Sequence, residues 1–209
     1  PVIFGGSAYI SLLEQGLQLE GASHNKRFSY LTGVRNKRNR NLLSNQPTTG
    51  AYIPSASDAQ GFFNYKLSEK IQLELLGILS SSRFSFYPES VKKTTSVFSP
   101  FFTANLGLDV FFEGQEKDAY TTSLIGLSVV QSINKKTKLK WMLSRFKDAE
   151  KENSDIAGAY LFGDRDFDNS SATFGQIINP LGAGYYQNYS RNLLNIEVYN
   201  AGHKGSYDA

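Results

Sequence analysis

The segment Leu161-Phe162-Gly163-Asp164-Arg165-Asp166-Phe167-Asp168-Asn169 places three carboxylates at i, i+2 and i+4. On extended or looped backbone, Asp164, Asp166 and Asp168 could converge on one hard cation, and Ca²⁺ takes oxygen ligands of this kind. The match to an EF-hand loop fails twice: Asn169 stands where that loop needs glycine, and Gly175 where it needs a bidentate glutamate. Calcium held in this loop is one reading, and a solvated acidic loop is the plainer one.

Other chemistries find less support. His24 and His203 are the only histidines, and both fall in predicted turns. A zinc site is therefore not expected. Asp208 follows His203 closely, yet no Gly-x-Ser-x-Gly elbow accompanies them, so a Ser-His-Asp hydrolase is not expected either. Cysteine is absent, which removes disulfides, thiolate metal sites and cysteine nucleophiles together. The chain is read as a non-enzyme.

Charge is unevenly spread. Residues 1–50 hold six basic residues, Lys26, Arg27, Arg35, Lys37, Arg38 and Arg40, against Glu14 and Glu20. Residues 148–168 hold seven acidic residues against Lys151 and Arg165. A basic run can steer an anionic ligand, or it can be ordinary rim charge that meets lipopolysaccharide phosphates. No nucleic-acid-binding motif supports a third use. Aromatics are abundant, with 12 Tyr and 15 Phe, and many fall in the predicted long connections. There Tyr52, Phe112, Tyr160 and Phe162 could stack on a sugar or an aromatic ligand. Glu113, Gln115 and Glu116 add hydrogen-bonding capacity beside them. The plainer roles are packing of long loops and hydrogen bonding within an outer hairpin.

The elements that would position these residues are strands. Leu17 and Leu19 alternate with Gln18 and Glu20; Ile71, Leu73 and Leu75 with Gln72 and Glu74; Leu139, Trp141 and Leu143 with Lys138 and Lys140. Period-two alternation means one apolar and one polar face. Seven strands are expected, at about 8–21, 26–40, 59–68, 70–87, 107–133, 137–147 and 184–201. Lys147-Asp148-Ala149-Glu150-Lys151-Glu152-Asn153 has no apolar periodicity and reads as loop. Short connections (22–25, 67–70, 133–136) alternate with long ones (41–58, 82–109, 147–184). All short turns then lie at one end of the sheet and all long loops at the other, the asymmetry of outer-membrane barrels. No stretch approaches the roughly 18 apolar residues of a membrane helix. Pro1-Val2-Ile3-Phe4-Gly5-Gly6 carries no basic region followed by an apolar one, so no signal peptide is expected in it.

Five runs in order resemble the barrel of TonB-dependent outer-membrane receptors of the Bacteroidetes type. They are Phe84-Ser85-Phe86-Tyr87-Pro88-Glu89-Ser90; Leu108-Asp109-Val110-Phe111-Phe112-Glu113-Gly114-Gln115-Glu116-Lys117-Asp118-Ala119-Tyr120; Ser154-Asp155-Ile156-Ala157-Gly158-Ala159-Tyr160; Tyr189-Ser190-Arg191-Asn192-Leu193; and His203-Lys204-Gly205. Ser154 stands where the family usually has an aromatic residue. The resemblance implies a plug domain inside a 22-stranded barrel, a TonB-engaging N-terminal segment, and import of a scarce ligand by TonB-driven plug displacement. The ligand would be a small molecule, glycan or peptide, and a surface lipoprotein is a further candidate partner.

The expectation is an all-β chain: an antiparallel, up-and-down transmembrane β-barrel segment, seven strands of a larger barrel in the outer membrane of a Gram-negative bacterium. Seven strands cannot close a barrel, and lipid does not tolerate an open sheet edge. Residues 1–209 are thus read as a partial receptor barrel whose plug and remaining strands lie in other sequence. Two alternatives stay open: a soluble β-sandwich or adhesin-like module binding glycan through loop aromatics, and a self-contained small barrel.

Overall fold

The computed structural model describes residues 4–38 and 50–208, and these are all-β. Nine strands form one antiparallel sheet: β1 (Phe4–Ile10), β2 (Glu14–Ala22), β3 (Phe28–Arg38), β4 (Gly50–Lys66), β5 (Ile71–Pro88), β6 (Val91–Ser99), β7 (Phe102–Ser132), β8 (Thr137–Arg165) and β9 (Ile177–Tyr207). Each strand pairs with its sequence neighbour, except that β7 lies beside both β5 and β6. β6 continues the line of β5 after a break at Pro88, which has no N–H to give to a ladder. In that gap the Ser90 hydroxyl accepts the Phe112 N–H at 3.1 Å.

The short turns share one device. In each, a side-chain oxygen caps backbone N–H groups that the ladder leaves unpaired. Asn25 Oδ1 accepts Arg27 N–H at 3.1 Å, Ser68 Oγ accepts Ile71 N–H at 3.1 Å, and Asn134 Oδ1 accepts Thr137 N–H at 2.8 Å. Ser11 does the same for Glu14 at 3.0 Å. That turn corrects the sequence reading: the strand expected at 8–21 is the β1–β2 hairpin, whose short turn lies at the end reserved for long loops.

The larger correction concerns the loops. β7, β8 and β9 have 31, 29 and 31 residues, against the roughly 9–11 that cross a bilayer. The expected 147–184 loop shrinks to residues 166–176, and the 82–109 loop is mostly β5, β6 and β7. The segment 147–153 is β8 strand. Its alternation is one of charge: Lys147 and Lys151 point to one face, Asp148, Glu150 and Glu152 to the other. Of the expected 41–58 loop, residues 50–58 are β4 and 41–49 lie outside the described residues.

Cross-strand register sorts side chains onto two faces. One face carries an apolar band: Leu17, Val34, Phe63, Leu75, Leu79, Ile125, Leu127, Val129, Leu139 and Leu143, with Ile71 and Leu73. Phe28, Tyr65 and Trp141 edge this banded face towards the short turns, and His203 stacks on Trp141 at 5.3 Å. Gly61 and Gly77, paired across β4 and β5, leave an apolar trough of about 500 Å³ in it.

The upper margin of the band slants. Ile10 lies in the register row of Ser81, Thr121 and Ala149, one row above Leu79. Ile125 is a row below Leu79, and Leu143 a row below that. From β1 to β8 the margin falls three rows, about 20 Å, over six strand spacings, about 29 Å, a slope of about 35°. The lower margin steps from Phe28 to Leu139 in the same sense.

The opposite face is polar over most of its extent. It also carries an apolar diagonal of Leu31, Phe62, Leu76, Ile78, Leu124, Phe146 and Val198. Leu194 and Ile196 of β9 belong to this opposite face. β9 pairs Val198 with Phe146, and this register carries Leu194, Ile196 and Val198 away from the band.

No second sheet covers either face among the described residues, and the sheet does not close. β1 and β9 each have one unpaired edge there. Ile156 is the only buried hydrophobic described, whereas Leu79, Ile125 and Leu143 are 59%, 54% and 60% exposed.

Candidate functional site

Beyond the band, towards the long connections, the opposite face gathers the aromatic and acidic candidates. One register row reads Tyr52, Phe86, Glu116, Ser154, Ser190 across β4, β5, β7, β8 and β9. Tyr52 lies 4.6 Å from the Phe86 ring and 6.1 Å from Phe84, centroid to centroid. Further along the same face, Phe112 pairs with Gly158, and Tyr160 with Gly184. Both glycines are seats for rings. A Cβ on Gly158 would stand 3.0 Å from Phe112, and one on Gly184 would stand 2.3 Å from Tyr160. Phe162 pairs with Leu108 and Gly182 at the rim of this face.

Five of the seven sequence candidates thus share one face: Tyr52, Phe112, Glu116, Tyr160 and Phe162. Glu113 and Gln115 fall on the banded face, because Gly114 and Glu116 take the intervening positions. The candidates stand on strand extensions, not on the loops expected from sequence.

Acids line the approach from below. Asp118, Asp148, Glu150 and Glu152 lie on the same face as Glu116. The Tyr120 hydroxyl donates to Glu152 at 2.9 Å, and the Thr122 hydroxyl to Asp148 at 2.6 Å. Burial, then the charge of Asp118, holds the Glu116 carboxyl above the usual carboxylate range. Asn188 donates to the buried Ser154 at 3.3 Å. The surface can therefore accept hydrogen bonds at its acids and stack planar groups on its rings.

Sequence reasoning missed one feature. Arg165 forms a buried ion pair with Asp109, their side chains 5% and 8% exposed, and donates to Gly175 O at 2.7 Å. Gly107 makes room, since a Cβ there would meet the guanidinium at 2.5 Å. The pair ties residues 166–176 to β7. Asp109 and Arg165 are far apart in sequence, and no local pattern links them.

The three candidate calcium ligands part company. Asp164 is paired within β8, opposite Leu106 and Asn179. Asp166 accepts Thr173 Oγ1 at 2.7 Å, and Asp168 accepts Ser170 Oγ at 2.6 Å. Hydrogen bonds from Ser171 and Thr173 hold Asp166 below its ordinary 3.8, and Ser170 does the same for Asp168. Among the described residues no group of three or more His, Asp or Glu side chains is arranged to hold a metal. His24 and His203 lie in a turn and in β9.

No protein-family model, no curated protein and no solved structure matches this chain.

Proposed function

We propose that this sheet is part of the wall of a transmembrane β-barrel in a Gram-negative outer membrane. The single observation that carries the reading is the slanted apolar band. A flat slab of hydrocarbon crossed by strands tilted at 35–45° must mark its margins obliquely across the register rows. The aromatics along one margin suit a membrane interface. Neither band nor open edges have cover within the described residues. Lipid would cover the first and further strands the second.

The resemblance to TonB-dependent receptors extends this to transport. In that reading a plug occupies the barrel, its surface meeting the apolar diagonal from Leu31 to Val198. The aromatic and acidic face around Tyr52, Phe112, Glu116 and Tyr160 receives the ligand, and TonB drives plug displacement. Calcium would enter only as a bridge between the Asp166 loop and lipopolysaccharide. The sandwich alternative has no second sheet to draw on among the described residues.

The test is fractionation of the full-length protein expressed in its native host. It is expected with the outer membrane, resistant to carbonate extraction, and cross-linked to TonB through its N-terminal segment. Recovery as a detergent-independent monomer overturns the membrane reading. Outer-membrane recovery with no TonB cross-link overturns the receptor reading alone.

A further inference from the structure

A polar cavity of about 660 Å³ opens on the opposite face, at its short-turn end. The β2–β3 and β4–β5 turns wall it, and Gln72, Val130 and Ser132 form its floor. Five cations line it: Lys26, Arg27, Lys66, Lys70 and Lys138. They stand on both sides. The Lys66 N–H donates to Arg27 O, so these two face each other across the β3–β4 pair. The Ser132 N–H donates to Lys70 O, and Ser132 pairs with Lys138, which sets Lys70 and Lys138 two strand spacings apart, about 10 Å. None of the five forms an ion pair among the described residues; the cations that do are Arg35, Lys140, Arg145 and Arg165. Few acids compete for them. Glu69 lies in the wall, while Glu74 is held by Lys140 at 2.6 Å and by Gln72 at 3.1 Å. Asp208 lies past β9, opposite Lys136, and Glu20 lies opposite Leu31, four residues along the chain from Arg27. The acids of the aromatic end begin at Asp148, ten residues along β8 from Lys138, about 33 Å away.

The backbone at Lys26 adds a second observation. Its φ is 55°, the only positive φ at a non-glycine among the described residues. It closes the turn in which its N–H donates to Ser23 O at 2.8 Å. Glycine or asparagine would take that left-handed position with less strain. The position holds instead a cation that lines the cavity. We infer that Lys26, Arg27, Lys66, Lys70 and Lys138 form a binding site for a small molecule carrying two or more phosphate groups. From Arg27 beside β3 to Lys138 on β8 the cations span four strand spacings, about 19 Å, wider than one phosphate. Four of the five are lysines, point charges that suit phosphate oxygens, where arginine forks would grip a planar carboxylate. The cavity has the volume of a small-molecule pocket. The site does not depend on lipid covering the band, because it lies on the other face.

The test is equilibrium dialysis of the purified full-length protein against tripolyphosphate, inorganic phosphate and citrate, at fixed ionic strength and without divalent ions. Tripolyphosphate is expected to bind at least tenfold tighter than either of the others. Lys66→Gln/Lys70→Gln should weaken it at least tenfold. Lys26→Gly should weaken it severalfold while resistance to denaturant stays equal or rises, because glycine relieves the left-handed backbone. That variant keeps the test decisive if the double variant does not fold. Lys92→Gln/Lys93→Gln, which removes the same charge from β6, should leave binding within twofold. Citrate or inorganic phosphate binding as tightly as tripolyphosphate overturns the proposal. So does unchanged binding in the cavity variants, or equal weakening by the β6 variant.

Discussion

The two halves of these long strands satisfy burial in opposite ways. Every buried residue among those described lies in the half towards the long connections: Gly50, Gly107, Asp109, Ser154, Ile156, Gly158, Gly163 and Arg165. The half between the short turns and Leu79 holds the apolar band and buries none of it. The outer half supplies its own cover, through the loop pinned on Arg165 and rings seated on glycines. The banded half has no cover among the described residues. Leucines without cover beside well-covered aspartate and arginine invert the order of a globular domain.

The largest expected effect breaks the outer half. Arg165→Ala leaves Asp109 buried and unpaired, which costs about 3–5 kcal/mol. Hydrogen exchange should show protection lost around 105–115 and 160–180, with amides of 71–79 unchanged. Loss of protection in both halves would mean they are not independent.

The next change attacks the band. Leu127→Lys places a charge on the banded face and, on the proposed membrane reading, should cost about 2–4 kcal/mol in lipid. Ser128→Lys, one residue on and on the opposite face, should cost far less. Reversible unfolding in lipid vesicles compares them, and equal costs would remove the distinction between the faces. A smaller effect separates ring seating from the rest. Gly184→Ala forces Tyr160 off its seat, an overpacking cost of about 1–3 kcal/mol. Tyr160 fluorescence anisotropy should change while membrane insertion does not.

The smallest effect is one of pH. The Asp166 and Asp168 carboxyls are held below their ordinary 3.8, so their hydrogen bonds contribute stability above that value. The contribution is lost as pH falls through the lowered values. Exchange of the Asp168 and Ser170 amides should therefore rise below about pH 3.8 relative to the band, and an unchanged ratio would contradict these bonds.

Much of this architecture was legible in the residues. Alternation of Leu against Gln or Glu marks β2 and β5, Leu and Trp against Lys mark the start of β8, and Ser or Asn marks the turns. Two things were not legible, for physical reasons. A strand's alternation separates two faces but does not say which neighbour each face joins. Leu194, Ile196 and Val198 alternate as cleanly as Leu73 and Leu75, yet pairing to Phe146 sends them to the opposite side. Hydropathy is also blind to a strand whose alternation is of charge sign, so 147–153 looked like loop. For the site, the spacing of Phe112, Glu116, Tyr160 and Phe162 is even and already places them on common faces of their strands. Their meeting with Tyr52 through Phe86 depends on register across four strands.

The absence of cysteine opens a direct test of whether the banded face meets lipid. Single cysteines are placed at each position from 123 to 130 on β7 in the full-length protein, spin-labelled, and examined in lipid bilayers. A period of two is expected. Labels at 125, 127 and 129 are relaxed by oxygen dissolved in lipid, and those at 124, 126 and 128 are shielded from it. Accessibility without that alternation, or water-soluble relaxation agents reaching both faces equally, would contradict a membrane-spanning wall.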